Sequence, residues 1–92
     1  MQTVIVGAGD YGKEIKKRFF KGRDVVFYDN DRRKWNTECD GAKVISLSML
    51  LELIEQKCPI VVGGHSPSLL HFIKDATPPH LIIRFFKKSM VI

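Results

Sequence analysis

Three glycines, Gly7, Gly9 and Gly12, stand in the order G-x-G-x-x-G within "VIVGAGDYGKEI". Each has a mechanical task in a phosphate-binding turn. The first lets the chain leave a strand sharply, the second removes a side chain where a pyrophosphate would approach, and the third lets helix and strand pack closely. Free N–H groups and the positive dipole end of the following helix then suit a phosphate. Ala8, Asp10 and Tyr11 lie between the glycines, so Gly7 to Gly12 as a whole is a candidate cofactor-binding segment. Asp10 works against a pyrophosphate if its carboxylate faces one, which leaves the ligand's identity open.

A second group completes the pattern. Asp29 closes the apolar run "DVVFY" and lies 22 residues after Gly7, where a carboxylate is expected to accept from a ribose hydroxyl. Such an acid favours a free 2′-hydroxyl over a 2′-phosphate, although Arg32 and Arg33 stand nearby. The plainer alternative is that Asp29 caps a turn in "DND". A third element, "GGHSPS", brings Gly63, Gly64 and His65 to the end of a later strand, facing the glycine turn across the sheet. His65 reads either as a contact to phosphate or sugar or as a solvated loop residue.

No nucleophile–base pair can be assembled, so no catalytic residue is expected. Ser46, Ser48, Ser66 and Ser68 fit as helix caps and first-turn residues. His71 and His80 have no partner at metal spacing, and no metal site is expected. Cys39 and Cys58 are far apart and read as a reduced thiol pair. No apolar stretch approaches the roughly 20 residues of a membrane span, and the first strand begins too early for a signal peptide. A soluble, cytoplasmic protein is expected. The net charge of +5 is concentrated on the first helix and its exit, at Lys13, Lys16, Lys17, Arg18, Lys21 and Arg23. It reads as a solvated helix face, with no nucleic-acid or membrane partner expected.

The elements that must position these groups can be read from periodicity. Thr3 to Val6 is a short buried strand, and Tyr11, Ile15 and Phe19 recur at helical spacing ahead of a stop near Lys21-Gly22. The second strand is "DVVFY", and Lys43 to Ile45 is a third. Ser46 caps a helix striped by Leu47, Leu50, Leu51 and Ile54 and widened by Leu53. Pro59 opens a strand at Ile60 to Val62. Ser66-Pro67 starts a helix with Leu69, Phe72, Ile73 and Ala76 inward. Leu81 to Phe86 is a fifth strand.

Residues 1–92 are thus expected to form one α/β domain, a minimal doubly wound parallel sheet of five strands in the order 3-2-1-4-5 with three helices. The link from the second to the third strand is too short for a helix, and Trp35 with "RRKW" is expected to cover that sheet face. The apolar tail Met90 to Ile92 is expected to pack against a second copy or a further domain.

The segments "VIVGAGDYGKEIKKRF", "DVVFYDNDRRKW", "DGAKVISLSMLLEL" and "IVVGG" resemble the N-terminal Rossmann-like domain of bacterial polysaccharide-biosynthesis proteins, over about residues 3–64. The resemblance implies binding of a nicotinamide nucleotide such as NAD, or of a nucleotide-sugar. It implicates Gly7, Gly9, Gly12, Asp29 and Asn30, with Gly63 and Gly64 opposite. In that group the domain stands beside sugar acyltransferase, methyltransferase or epimerase modules. The catalytic β-helix of the acyltransferase type has no counterpart here, so a binding domain or a piece of a sugar-modifying enzyme is implied. Through Asp31 the chain also resembles the NAD-binding regulatory domain of potassium-transport proteins. A protein-interaction domain that keeps the glycine turn for packing is the alternative of a different kind.

Overall fold

Thr3–Val6 forms β1, and each of its four residues is buried, because this strand lies in the middle of a sheet covered on both faces. The computed structural model of the chain describes residues 2–63 and 67–85. After β1 come α1 (Asp10–Phe19), β2 (Val25–Tyr28), a short 3-10 turn (Arg32–Lys34), β3 (Glu38–Cys39) and β4 (Ala42–Ile45). They are followed by α2 (Leu47–Glu55), β5 (Ile60–Gly63), α3 (Pro67–Ala76), a second 3-10 turn (Pro79–Leu81) and β6 (Ile82–Phe85).

The sheet order is β3-β4-β2-β1-β5-β6. Every pairing is parallel except β3 with β4. The expected five-strand order is contained in it, and the correction is a sixth strand, β3, at one edge. Its cause is a tight hairpin. Cys39 pairs with Ala42 around Asp40 and Gly41, whose φ values of +51° and +78° are those of a two-residue turn.

Alternate residues feed two cores. Val4, Val6, Val26, Tyr28, Ile45, Ile60 and Val62 face α2 and α3, where they meet Leu50, Leu53, Ile54 and Ile73. Ile5, Val25, Phe27, Val44 and Val61 face α1 through Ile15 and Phe20. Trp35 packs against both groups from the short β2–β4 link, as expected of a residue that replaces a covering helix.

Several inward residues differ from the periodic reading. Phe20 is buried while Phe19 is 48% exposed, because α1 ends at Phe19 and the chain leaves helical geometry at Phe20. On α2, Leu50, Leu53 and Ile54 are buried, whereas Leu47 and Leu51 are exposed. On α3, Ile73 is buried and Phe72 is exposed. Strands of only four residues accept a narrow stripe from each helix. Ser46 caps α2 as expected, its Oγ accepting the N–H of Met49 at 3.4 Å. The expected packing of Met90 to Ile92 lies outside the described residues.

Candidate functional site

The end of β1 and the start of α1 form one tight corner. Gly7 has φ +106°, a conformation that residues with a Cβ rarely adopt, and its N–H donates to the carbonyl of Tyr28 at 2.6 Å. Gly12 sits in the first turn of α1. A Cβ at this position would overlap the carbonyl oxygen of Gly7 and press to 3.3 Å on the Phe27 ring. Gly9 is different. It precedes α1 in extended geometry, supplies no side-chain cap, and a Cβ there would meet nothing within 4 Å. Two glycines therefore serve the protein's own packing, and the third leaves open space at a helix N-terminus.

Asp29 stands beside this corner because β2 pairs with β1 in parallel, with Tyr28 opposite Val6. Its Oδ2 accepts the N–H of Ala8 at 2.9 Å, and its Oδ1 accepts the N–H of Asp31 at 2.8 Å. The Lys34 ammonium lies 3.6 Å from Oδ2. Burial by itself would raise the pKa of this carboxyl. The two backbone donors and Lys34 outweigh it and hold the group below the usual Asp range. The turn-capping role of Asp29 is thus real, and it is combined with a bond to the glycine corner.

Around Asp29 the β2–β3 link is ordered by further contacts. Trp35 Nε1 donates to the Asp29 carbonyl at 2.7 Å, and its ring lies 6.3 Å from that of Tyr28. The Arg32 guanidinium sits 5.6 Å over the Trp35 ring. Arg33 is bound to Asp31, which caps the 3-10 turn. Asn30 is exposed and accepts from the Tyr28 hydroxyl at 3.4 Å.

The remaining candidates divide. Ala8 is buried with both peptide groups engaged, its N–H by Asp29 and its carbonyl by the Cys39 thiol at 3.6 Å. Asp10 is exposed at the first residue of α1. Tyr11 packs against the α1-side core. Its buried hydroxyl has no hydrogen-bond partner among the described residues, and burial raises its pKa. Gly63 ends β5, next to β1, which puts it on the same sheet end as the corner. Gly64 and His65 lie outside the described residues.

A cleft of about 240 Å³ opens between α1 and the β3–β4 hairpin, lined by Ala8, Lys13, Lys34, Thr37, Glu38, Cys39, Asp40 and Val44. It occupies the side where a crossover helix would lie had the β2–β4 link been longer. Asp40 anchors the hairpin to α1 through Lys16 at 3.3 Å and Lys17 at 4.0 Å. Burial pushes the Cys39 thiol up. Lys13 and Lys34 draw it down, Asp40 and Asp29 oppose them, and the thiol stays above its ordinary value. None of these lining residues except Ala8 stands out in the sequence as part of a site. The available signal was Asp40-Gly41, a dipeptide that marks hairpins. Among the described residues no group of three or more His, Cys, Asp or Glu could hold a metal ion, and no helix is long and apolar enough to cross a membrane.

A central parallel sheet, helices on both faces and a glycine corner at the end of β1 define a Rossmann-like α/β domain. The solved structures it matches have the same fold. A protein described as UDP-D-quinovosamine 4-dehydrogenase from Vibrio fischeri superposes with a TM-score of 0.73 at 19% identity, covering 98% of this chain and 82% of that one. RSP in complex with NAD+ and operator DNA gives 0.64 at 16% identity, with 98% and 52% covered. RSP in complex with NADH gives 0.64 at 14% identity, with 98% and 56% covered. No family model and no curated protein matches the sequence.

Proposed function

We propose that the chain is a nucleotide-binding domain that holds NAD or a nucleotide-sugar across Gly7–Gly12, Asp29, Asn30 and Gly63–His65. The observation that carries this reading is Gly9. It leaves open space at the start of α1, while Gly7 and Gly12 build the corner around it and Asp29 fixes that corner through Ala8. Uncapped N–H groups at a helix start are suited to an anion, and a phosphate is the group such a corner admits. Support also comes from the neighbours, one described by its action on a UDP-sugar and another bound to NAD+ or NADH.

The domain supplies binding rather than a complete catalytic site, of the kind that accompanies sugar-modifying modules in polysaccharide biosynthesis. A second copy or a following catalytic domain is its expected partner. A regulatory role is the second reading, favoured by RSP, which holds NAD+ together with operator DNA. That likeness weighs lightly against expecting no nucleic-acid partner.

Thermal-shift titration with NAD, NADP, UDP-sugars and ATP tests the proposal. A ligand present at 100 times its Kd adds about 2.7 kcal/mol of stability. Absence of any shift at millimolar concentrations would favour a corner kept only for packing.

A further inference from the structure

Asp29 is the acid that the sequence assigns to a ribose hydroxyl, yet in the fold it is already engaged. The N–H groups of Ala8 and Asp31 and the ammonium of Lys34 hold its carboxylate, nearly filling the roughly four sites that a carboxylate offers to donors. The cleft beside it is lined by Lys13 from α1 and Lys34 from the 3-10 turn after β2. Burial keeps the Cys39 thiol in this cleft above its ordinary pKa, and Lys13 and Lys34 both pull against it, so both ammonium groups are at the cavity. Lys13 has no ion-pair partner among the described residues. Asp40 is held by Lys16 and Lys17. Glu38 adjoins Cys39 on a two-residue strand, and alternation turns its side chain to the other face of the sheet. Around the cleft, Lys13, Lys16, Lys17 and Lys34 therefore stand against Asp29 and Asp40, an excess of two positive charges.

We propose that this cleft takes a phosphate monoester on the ribose of the bound nucleotide, held by Lys13 and Lys34, so that the domain prefers NADP to NAD. The inference rests on the nucleotide-binding reading and names the cofactor within it. It reverses the preference that Asp29 suggests from sequence alone. A dinucleotide whose pyrophosphate lies on the glycine corner brings its ribose to the end of β2. Ala8 joins the two places, since its N–H is bound by Asp29 at that end and it also lines the cleft. A group on the 2′-oxygen thus has the cleft next to it. A phosphate monoester carries a charge of about −1.5 to −2 at neutral pH, which the local positive excess balances. A bare 2′-hydroxyl is neutral and meets an acceptor that is nearly filled. The arginines that stand near Asp29 in the sequence are engaged elsewhere, Arg33 with Asp31 and Arg32 over the Trp35 ring. Reading the phosphate falls to the two lysines.

Isothermal titration of the 92-residue chain with NADP, NAD and UDP-glucose tests the assignment. NADP is expected to bind at least tenfold more tightly than NAD, and to lose affinity more steeply as salt screens the exposed charges. Lys13→Gln breaks no ion pair among the described residues. It should remove most of the preference by weakening NADP, with NAD affinity within about twofold of wild type, whereas Lys13→Arg should keep the preference. Lys34→Gln should weaken NADP at least as much, because it also leaves Asp29 without its cation. Melting temperatures of the variants without ligand separate these losses from unfolding. Equal affinity for the two cofactors, tighter binding of NAD, or a preference that survives Lys13→Gln would overturn the phosphate site while leaving nucleotide binding intact. Equal weakening of both cofactors in Lys13→Gln, or binding of UDP-glucose alone, would do the same. If none of the three binds, nucleotide binding itself fails, and this inference with it.

Discussion

The side chain of Asp29 and the backbone of Ala8 are joined by a 2.9 Å hydrogen bond between the end of β2 and the turn that follows β1. The same carboxylate accepts from Asp31, so one side chain sets two loops. Asp29→Ala leaves both N–H groups without their acceptor. The loss is expected to be about 2 kcal/mol, since unmade bonds of partly buried donors cost about 1–3 kcal/mol each and water reaches this site. For a domain of this size that corresponds to a fall of roughly 8–16 °C in Tm. Differential scanning calorimetry measures it, and a Tm within about 2 °C of wild type would contradict the structural role.

The lowered pKa of Asp29 has a signed consequence for acid stability. A carboxyl with a folded pKa below its unfolded value of about 3.9 stabilises the fold fully above that value. The contribution disappears as pH falls through the lowered folded value. Urea midpoints should therefore fall more steeply with acid in the wild type than in Asp29→Asn, which has no proton to take up. Parallel acid profiles for the two proteins would contradict this.

Gly9 and Gly12 should respond in opposite ways to the same methyl group. Gly12→Ala forces a Cβ into the Gly7 carbonyl, which is backbone and cannot swing aside. Its cost is expected at or beyond the upper end of the about 1–3 kcal/mol typical of overpacking. Gly9→Ala has space and an ordinary φ of −103°. It should cost no more than about 1 kcal/mol, the difference between Gly and Ala as caps, while lowering nucleotide affinity at least tenfold. Denaturation and titration of the two variants separate packing from binding. Undiminished affinity in Gly9→Ala would remove the open space from the site.

Two adjacent leucines test the position of the core. Leu50→Ala is expected to cost about 2–5 kcal/mol, since Leu50 is fully buried. Leu51→Ala, at 46% exposed, should change stability by no more than about 0.5 kcal/mol. Urea denaturation decides, and similar losses at both positions would mean that α2 is turned differently on the sheet.

The glycine corner and Asp29 were legible in the sequence because backbone geometry there admits few residue types at few spacings. Central strands such as "TVIV" were legible because burial on both faces leaves a continuous apolar run. Phe19 and Phe20 were not separable by period, since helix termination decides which of them turns inward. Leu47 and Leu51 match the period of a buried face as well as Leu50 does. How wide a stripe the sheet can cover is a tertiary fact. β3 was missed because a strand of Glu38 and Cys39 is too short to carry any alternation, and only its Asp-Gly turn announced it. The cleft followed β3 out of view. Lys13 and Cys39 are far apart in the chain, and it is the hairpin that brings them to one cavity.

The place of β1 in the sheet also bears on how the chain comes off the ribosome. β1 is made before both of its partners, yet it lies between β2 and β5, and β5 begins only at Ile60. At about 5–20 residues per second, several seconds separate the emergence of these strands. During that time β1 and β2 can pair around α1, but one side of β1 stays open, with its N–H and C=O groups exposed along an apolar strand. The nascent half-sheet is therefore a natural target for chaperones and for mispairing with another emerging chain. Closure of that side of β1 waits on the synthesis of β5.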